Sequence, residues 1–289
     1  MKPEITAFFD EPTFTVTYLV VDPATKAAAI IDPVLDYDHA AGKAHHGSAR
    51  KVLEAARSQG ARIDYVLETH VHADHLSAAP WIKAETGARV VIGSRVREVQ
   101  AIFRPVFGAD DVSLTGAEFD LLADDGDVLA LGDLTIEAIH TPGHTPACVA
   151  WKIGPEDVFV GDTLFMPDYG TARADFPGGD AATLYRSIRR LLALPEQTRL
   201  WMCHDYKAPG RESFAWLSTV SEERARNVHV HDGVDEASFV AMRKARDATL
   251  KAPALLLPSV QVNIRAGHLP PPDANGMRYL KVPVTMTQA

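Results

Sequence analysis

The segment Thr69-His70-Val71-His72-Ala73-Asp74-His75 carries three histidines and one aspartate within six residues. Packing alone gives no reason for so many imidazoles on one short stretch. Imidazole nitrogen and carboxylate oxygen together suit zinc or iron, so the chemistry expected here is metal chemistry. Along extended backbone, alternate side chains share a face. His70, His72 and Asp74 are spaced by two and can converge on one point. His75 breaks that spacing and can serve a neighbouring point. The pattern therefore predicts two adjacent metal positions.

Three further residues at predicted strand ends complete the set. His144 lies in His140-Thr141-Pro142-Gly143-His144, where the Pro-Gly pair predicts a fixed turn. Asp162 closes the apolar run Val158-Phe159-Val160, and His204 follows Leu200-Trp201-Met202-Cys203. Functional side chains concentrate at such strand-loop boundaries. From residue types alone, His70, His72 and His144 would hold one metal, and Asp74, His75 and His204 the other. Asp162 would bridge, because a carboxylate has two oxygens to share. Such a pair can activate water for hydrolysis. His140 reads as a histidine outside the ligand set, either supporting a ligand or purely structural, and no catalytic side chain beyond the ligands is assigned. His39, His45 and His46 read as solvated loop residues.

The elements that must position this set follow from periodicity and turn signals. Ile63 to Glu68 reads as a strand, and Leu76 to about Thr86 as a helix, so the central motif is a strand-to-helix turn. Phe14–Val21 and Ala27–Ile31 predict an opening hairpin ending at Asp32-Pro33. Ser48–Gln59 has helical spacing with Gly60 as a stop. Ala88–Ile92 reads as a strand, followed by a helix to about Phe103. Short strands are expected from Phe119 to Val160, punctuated by glycines. A helix from about Asp180 and a strand at Thr198–Cys203 follow. Further helices are predicted at Glu212–Asn227 and Asp235–Leu250, then an extended or irregular tail at Pro253–Val260. Residues 1–289 are read as one domain, with a helical C-terminal extension from about residue 212.

Composition excludes several classes. Hydrophobic residues make up 46% and charged residues 23%, as in ordinary globular chains. A formal net charge of -9 argues against general nucleic-acid or anionic-membrane binding. Two cysteines, Cys148 and Cys203, give neither a disulfide framework nor a Cys-based zinc site. The start Met1-Lys2-Pro3-Glu4-Ile5 lacks a basic, then apolar, leader. No apolar run of about 18 residues predicts a membrane helix. The expectation is a soluble cytoplasmic protein, with neither nucleic acid nor membrane as partner. A homo-oligomer is compatible with the chain.

Taken in order, T-H-V-H-A-D-H, T-P-G-H-T, G-D-T and C-H-D-Y resemble the metallo-β-lactamase superfamily. The resemblance covers about residues 12 to 210. It implies an αββα sandwich, an α/β fold with the metal site at one edge of the two sheets. Asp162 stands where the lactamases of drug resistance often carry Cys, so lactam hydrolysis is not expected. Asp168-Tyr169-Gly170-Thr171-Ala172-Arg173-Ala174-Asp175-Phe176 resembles the loop of the persulfide (sulfur) dioxygenases, whose usual pattern is R-[TC]-D-F. Ala174 departs from that pattern.

This closer resemblance implies one Fe(2+) per chain held by His70, His144 and Asp162, a two-His-one-carboxylate arrangement with open positions. His72, Asp74, His75 and His204 would then surround those ligands or hold a second metal. Arg173 and Tyr206 match residues that contact a glutathione moiety. The implied activity is oxidation of glutathione persulfide by O2 to sulfite and glutathione. The alternative is a glyoxalase II-like hydrolase of glutathione thioesters with two Zn(2+) per chain. All seven ligand candidates serve either reading.

Overall fold

The computed structural model describes residues 2–286. The N-terminal half runs β1 (Glu4–Asp10), β2 (Thr15–Val21), β3 (Ala27–Ile31), β4 (Val34–Asp38), β5 (Lys43–His45), α1 (Gly47–Ser58), β6 (Arg62–Leu67), β7 (Leu76–Ser77), α2 (Ala79–Thr86), β8 (Arg89–Gly93), α3 (Val96–Phe107) and β9 (Leu121–Ala123). The remainder runs β10 (Val128–Leu131), β11 (Leu134–His140), β12 (Val149–Ile153), β13 (Asp157–Phe159), α4 (Ala181–Leu191), β14 (Arg199–Trp201), β15 (Leu217–Thr219), α5 (Val220–Arg226), α6 (Glu236–Asp247) and α7 (Leu256–Asn263).

Two six-stranded sheets result, ordered β1-β2-β3-β6-β8-β9 and β10-β11-β12-β13-β14-β15. The period-two alternation of side chains builds three apolar layers from them. Val16, Tyr18 and Val20 of β2 face the second sheet and pack with Trp151 and Phe159. Leu19 and Val21 of the same strand face outward and pack with Val52, Ile82 and Val99 of α1, α2 and α3. On the far side, Ala150 and Val158 meet Leu184 and Ile188 of α4 and Phe239 of α6. All of β2 is buried because both of its faces are covered. This is the expected αββα sandwich.

The pairing directions place the chemistry. β3 runs parallel to β6, and β13 runs parallel to β14. Residues following all four of these strands supply groups to one edge, as parallel strands characteristically do at their carboxyl ends. There the two sheets are joined directly: the Val16 amide donates to the Cys203 carbonyl at 2.7 Å, and the Val149 amide to the Thr69 carbonyl at 2.9 Å.

Three segments differ from the sequence prediction. Leu217–Thr219 is an edge strand on β14, so the predicted helix begins only at Val220, where the Thr219 side chain caps it. Pro253–Val260 is not all irregular; α7 starts at Leu256 and buries Val260 and Val262 in the helix-covered core. Pro258 is tolerated because it sits in the first turn, where amides lack intrahelical partners. Leu76–Ser77, predicted to open a helix, pairs with β4 as β7, so α2 begins only at Ala79. Strands β1, β4 and β5 are additional to those predicted.

Candidate metal centre

The motif after β6 is held from outside. Asp32, just past β3, accepts from the Thr69 amide and the Thr69 hydroxyl, both at 2.8 Å. From α7, Asn263 accepts from the Ser77 amide and donates to the carbonyls of His72 (2.9 Å) and His75 (2.8 Å). The loop carrying His144 depends on Gly143. Its φ is +137°, and a Cβ there would meet the Leu184 backbone at 2.3 Å.

These supports bring the seven predicted side chains together. Ligand atoms of His70, His144 and Asp162 lie within 4.8 Å of one another. Those of His72, Asp74, His75 and His204 form a second such group. The second group takes in His72, whose ring lies as near to His70 as to His75, 4.1 Å between centroids in each case. Asp162 stands between the groups. Its Oδ2 is 3.6 Å from His144 Nε2 and 4.0 Å from His70 Nε2, and its Oδ1 is 3.3 Å from His204 Nε2.

Each imidazole has one nitrogen fixed by an acceptor. His70 Nδ1 faces the Thr69 hydroxyl (3.0 Å), and His72 Nε2 faces Asp32 (2.9 Å). His144 Nδ1 faces the Arg173 carbonyl (2.7 Å), and His204 Nδ1 the Phe14 carbonyl (3.2 Å). His75 Nδ1 lies 3.3 Å from the Thr15 hydroxyl, which also reaches Asp74 at 3.4 Å. Donation to these acceptors leaves the other nitrogen of each ring as a lone pair. Such outer partners are what orient metal-binding histidines. The inner atoms His70 Nε2, His72 Nδ1, His75 Nε2, His204 Nε2 and Asp162 Oδ1 are buried without a hydrogen-bond partner. Buried polar atoms are ordinarily paired. Five converging orphans of nitrogen and oxygen type fit a metal ion as the missing partner.

Electrostatics agree with that fit. Burial, followed by the charges of neighbouring imidazoles, pushes His70 well below the ordinary histidine range, so its ring is neutral. Burial opposes charge on His72, but Asp32 and Glu68 outweigh it and raise the group well above that range. Positive charge is favoured there, whether a proton or a metal on Nδ1 supplies it. Burial and then the Asp32 charge raise the Cys203 thiol, which donates to Asp32 at 3.4 Å.

A cavity of about 430 Å3 opens onto the cluster and is lined by Asp74, His144, Asp162, Tyr169, Arg173 and Tyr206, among others. Tyr206 stacks on His204, with ring centroids 5.6 Å apart. Burial, then Asp74 and Asp162, raises its hydroxyl well above the usual range, which keeps it a donor. The Arg173 guanidinium grips Asp175 through Nε (2.5 Å) and Nη2 (2.7 Å), and donates from Nη1 to the Lys251 carbonyl (2.8 Å). Ala174 is buried, and its amide donates to Asp247 at 2.9 Å. His140 lies outside the cluster and contacts the Ala123 carbonyl at 3.0 Å. The sequence reading missed Thr15, Asp32, Thr69 and Asn263. Only Asp32 carried a signal, as a carboxylate at the end of an apolar strand beside the one leading to the motif.

Fold and cluster together define a metal-dependent enzyme class, and the chain belongs to the metallo-beta-lactamase superfamily, whose family model matches residues 10–204. Members of that superfamily are enzymes that bind metal ions. The chain is 53% identical to a probable metallo-hydrolase of Burkholderia pseudomallei, over 97% of this chain and 98% of the relative. It is 43% identical to glyoxylase B2 of Dictyostelium discoideum, over 98% and 97%. It is 30% identical to the mitochondrial persulfide dioxygenase ETHE1 of Homo sapiens, over 90% and 87%. Among solved structures it resembles ETHE1 from Myxococcus xanthus, with a TM-score of 0.74 and 29% identity, covering 92% of this chain and all of that one. No helix among the described residues is long and apolar enough to cross a membrane.

Proposed function

We propose that the protein is an iron-dependent dioxygenase that converts glutathione persulfide, O2 and water to glutathione and sulfite. The observation that carries this reading is the separate grouping of His70, His144 and Asp162 around one point. Two imidazoles and one carboxylate leave coordination positions open for substrate and O2. Likeness to persulfide dioxygenase relatives over nine-tenths of the chain supports it. Iron bound there would supply the redox chemistry of O2.

The chain's own residues do the rest. The Arg173 carbonyl holds the His144 proton on Nδ1, which keeps Nε2 directed inward. Tyr206 and Phe165 form the aromatic wall beside Asp162 and shield the reacting sulfur from bulk water. The Tyr206 hydroxyl, held protonated, donates a hydrogen bond to the bound thiol peptide. His72, Asp74, His75 and His204 shape the adjacent polar wall.

That same wall favours a second reading. Three of its four members present orphaned inner nitrogens, and with Asp162 they can hold a second ion. A two-zinc hydrolase of glutathione thioesters would use this arrangement to activate water, and the metallo-hydrolase and glyoxylase relatives support it.

Side-by-side turnover separates the two readings. Protein loaded with iron under anaerobic conditions is given glutathione persulfide with sulfite measured, and zinc-loaded protein is given a glutathione thioester. Sulfite formation by the iron form supports the dioxygenase. Rapid thioester cleavage with no sulfite from the iron form would leave the hydrolase.

A further inference from the structure

The outer half of the cavity is basic in a chain whose net charge is -9. Four cationic side chains line it: Arg173, Arg243, Arg246 and Lys251. Two are already neutralised. Arg173 is forked onto Asp175, and buried Arg243 is paired with Asp247 at 2.6 Å. Arg246 and Lys251 form no ion pair and no side-chain hydrogen bond among the described residues. Among the described residues, the only carboxylates lining the cavity are Asp74 and Asp162, which belong to the metal cluster at its inner end. The cavity is thus polarised, with two carboxylates and the His144 imidazole inside, unpaired cations at the rim, and the apolar Phe14, Leu250 and Pro253 along its walls.

The two free cations sit on a held segment. Arg246 is in the last turn of α6, and Lys251 is on the strap between α6 and α7. Arg173 fastens that strap by donating to the Lys251 carbonyl, while its own carbonyl holds His144. Its guanidinium therefore already has three acceptor contacts, and the rim has two cations without any.

We infer that Arg246 and Lys251 form the anion-recognising subsite, taking the carboxylate end of the substrate, and that Arg173 is the clamp that positions them. This rests on the reading of the substrate as a glutathione-linked thiol. The ligand class is a thiol whose carboxylates lie away from the reacting sulfur. Such a molecule spans the cavity with its soft end toward the metal cluster and its charge at the rim. The low-dielectric walls strengthen attraction over the distance between them.

The test is calorimetric binding of S-methylglutathione, a thioether with no persulfide or thioester to turn over, to the full-length protein. Its diethyl ester, in which both carboxylates are masked, is the comparison ligand. Arg246→Gln and Lys251→Gln should each weaken S-methylglutathione binding about fivefold, and about twentyfold together. The ester should bind wild type as weakly as the double variant binds the acid, and binding of the acid should fall with added salt. Equal binding by wild type and the double variant, equal binding of acid and ester, or no binding by wild type would overturn the subsite. Charge-dependent binding, with no O2 consumed when the iron-loaded protein is given glutathione persulfide in a parallel assay, would contradict the dioxygenase and keep the subsite. O2 consumption with charge-independent binding would do the reverse.

Discussion

His144 Nδ1 lies 2.7 Å from the carbonyl oxygen of Arg173, so one residue ties the metal cluster to the cavity rim: its main chain orients an imidazole, and its guanidinium reaches the strap. The two functions are separable by substitution. Arg173→Lys keeps the carbonyl but loses the planar fork to Asp175. Metal content should be unchanged, while KM for the glutathione-linked substrate rises several-fold, about 1 kcal/mol. Metal analysis beside steady-state kinetics checks this. Metal loss in Arg173→Lys would show that the side chain, rather than the main chain, sets His144.

Asp162 is the residue whose removal should affect both groups at once, since its two oxygens face different histidines. Asp162→Ala and His70→Ala should lose metal and activity together, because a three-ligand site cannot spare one ligand. His45→Ala and His46→Ala should retain both. His46 stacks on Trp81 with centroids 4.7 Å apart, and His45 pairs with Asp36. Elemental analysis after dialysis reads the result, and metal loss from the His45 or His46 variants would overturn the assignment.

Thr15 tests the second group by itself. Its buried hydroxyl reaches Asp74 and His75 and contacts none of His70, His144 or Asp162. Thr15→Val preserves the shape and removes the hydroxyl. An ion held by Asp74, His75 and His204 should then bind about 10- to 100-fold more weakly, read by chelator competition. Thr15→Ser should restore it. A change in the first ion's affinity, with the second unaffected, would contradict the grouping.

Glu223 gives the pH dependence of the frame behind the cavity. It accepts from Asn227, which also donates to the Gly170 carbonyl of the cavity loop. Burial raises its carboxyl from the ordinary 4.5 to about 7. The folded state therefore holds a proton that the unfolded chain releases. Its contribution is full below the unfolded value and is lost as pH rises through about 7. Between about pH 5 and about pH 8 the wild type should lose on the order of 2 kcal/mol relative to Glu223→Gln. Urea denaturation of both proteins across that range measures it. Parallel pH profiles would show that Glu223 ionises normally.

The ligand set was legible in the sequence because its geometry is local. His70, His72, Asp74 and His75 share one turn, and His144, Asp162 and His204 each follow an apolar strand. The sandwich was legible from the same strands and their glycine stops. What orients the rings was not legible, because the partners come from afar. His72 turns toward Asp32 across two parallel strands, and Asn263 reaches the His72 and His75 carbonyls from near the other end of the chain. Alternation along extended backbone placed His72 with His70. The turn is not extended throughout, and with its Nε2 on Asp32 the His72 ring lies equally near His70 and His75, at 4.1 Å between centroids. α7 was missed because a proline-containing apolar run has no helical face of its own; burial of Val260 and Val262 supplies the reason to be helical. The number of metals was illegible, since all seven ligands suit one ion or two.

Asp74→Asn speaks to that number. With iron on His70, His144 and Asp162, the variant should keep about one iron per chain and most of its O2 uptake, because Asp74 belongs to the neighbouring group. With two zinc ions, it should lose one ion and most thioesterase activity. Metal analysis paired with both assays decides between them.

On the proposed function, one iron per chain, held by His70, His144 and Asp162, supports persulfide oxidation. Its most direct test is an oxygen-electrode titration, in which metal-free protein receives Fe(2+) in increments under anaerobic conditions. Each sample is then assayed for O2 uptake with glutathione persulfide. The rate should rise linearly and level at about one iron per chain, with one sulfite formed per O2 consumed. No O2 uptake at any loading, or a rate that appears only as a second ion binds, would contradict it.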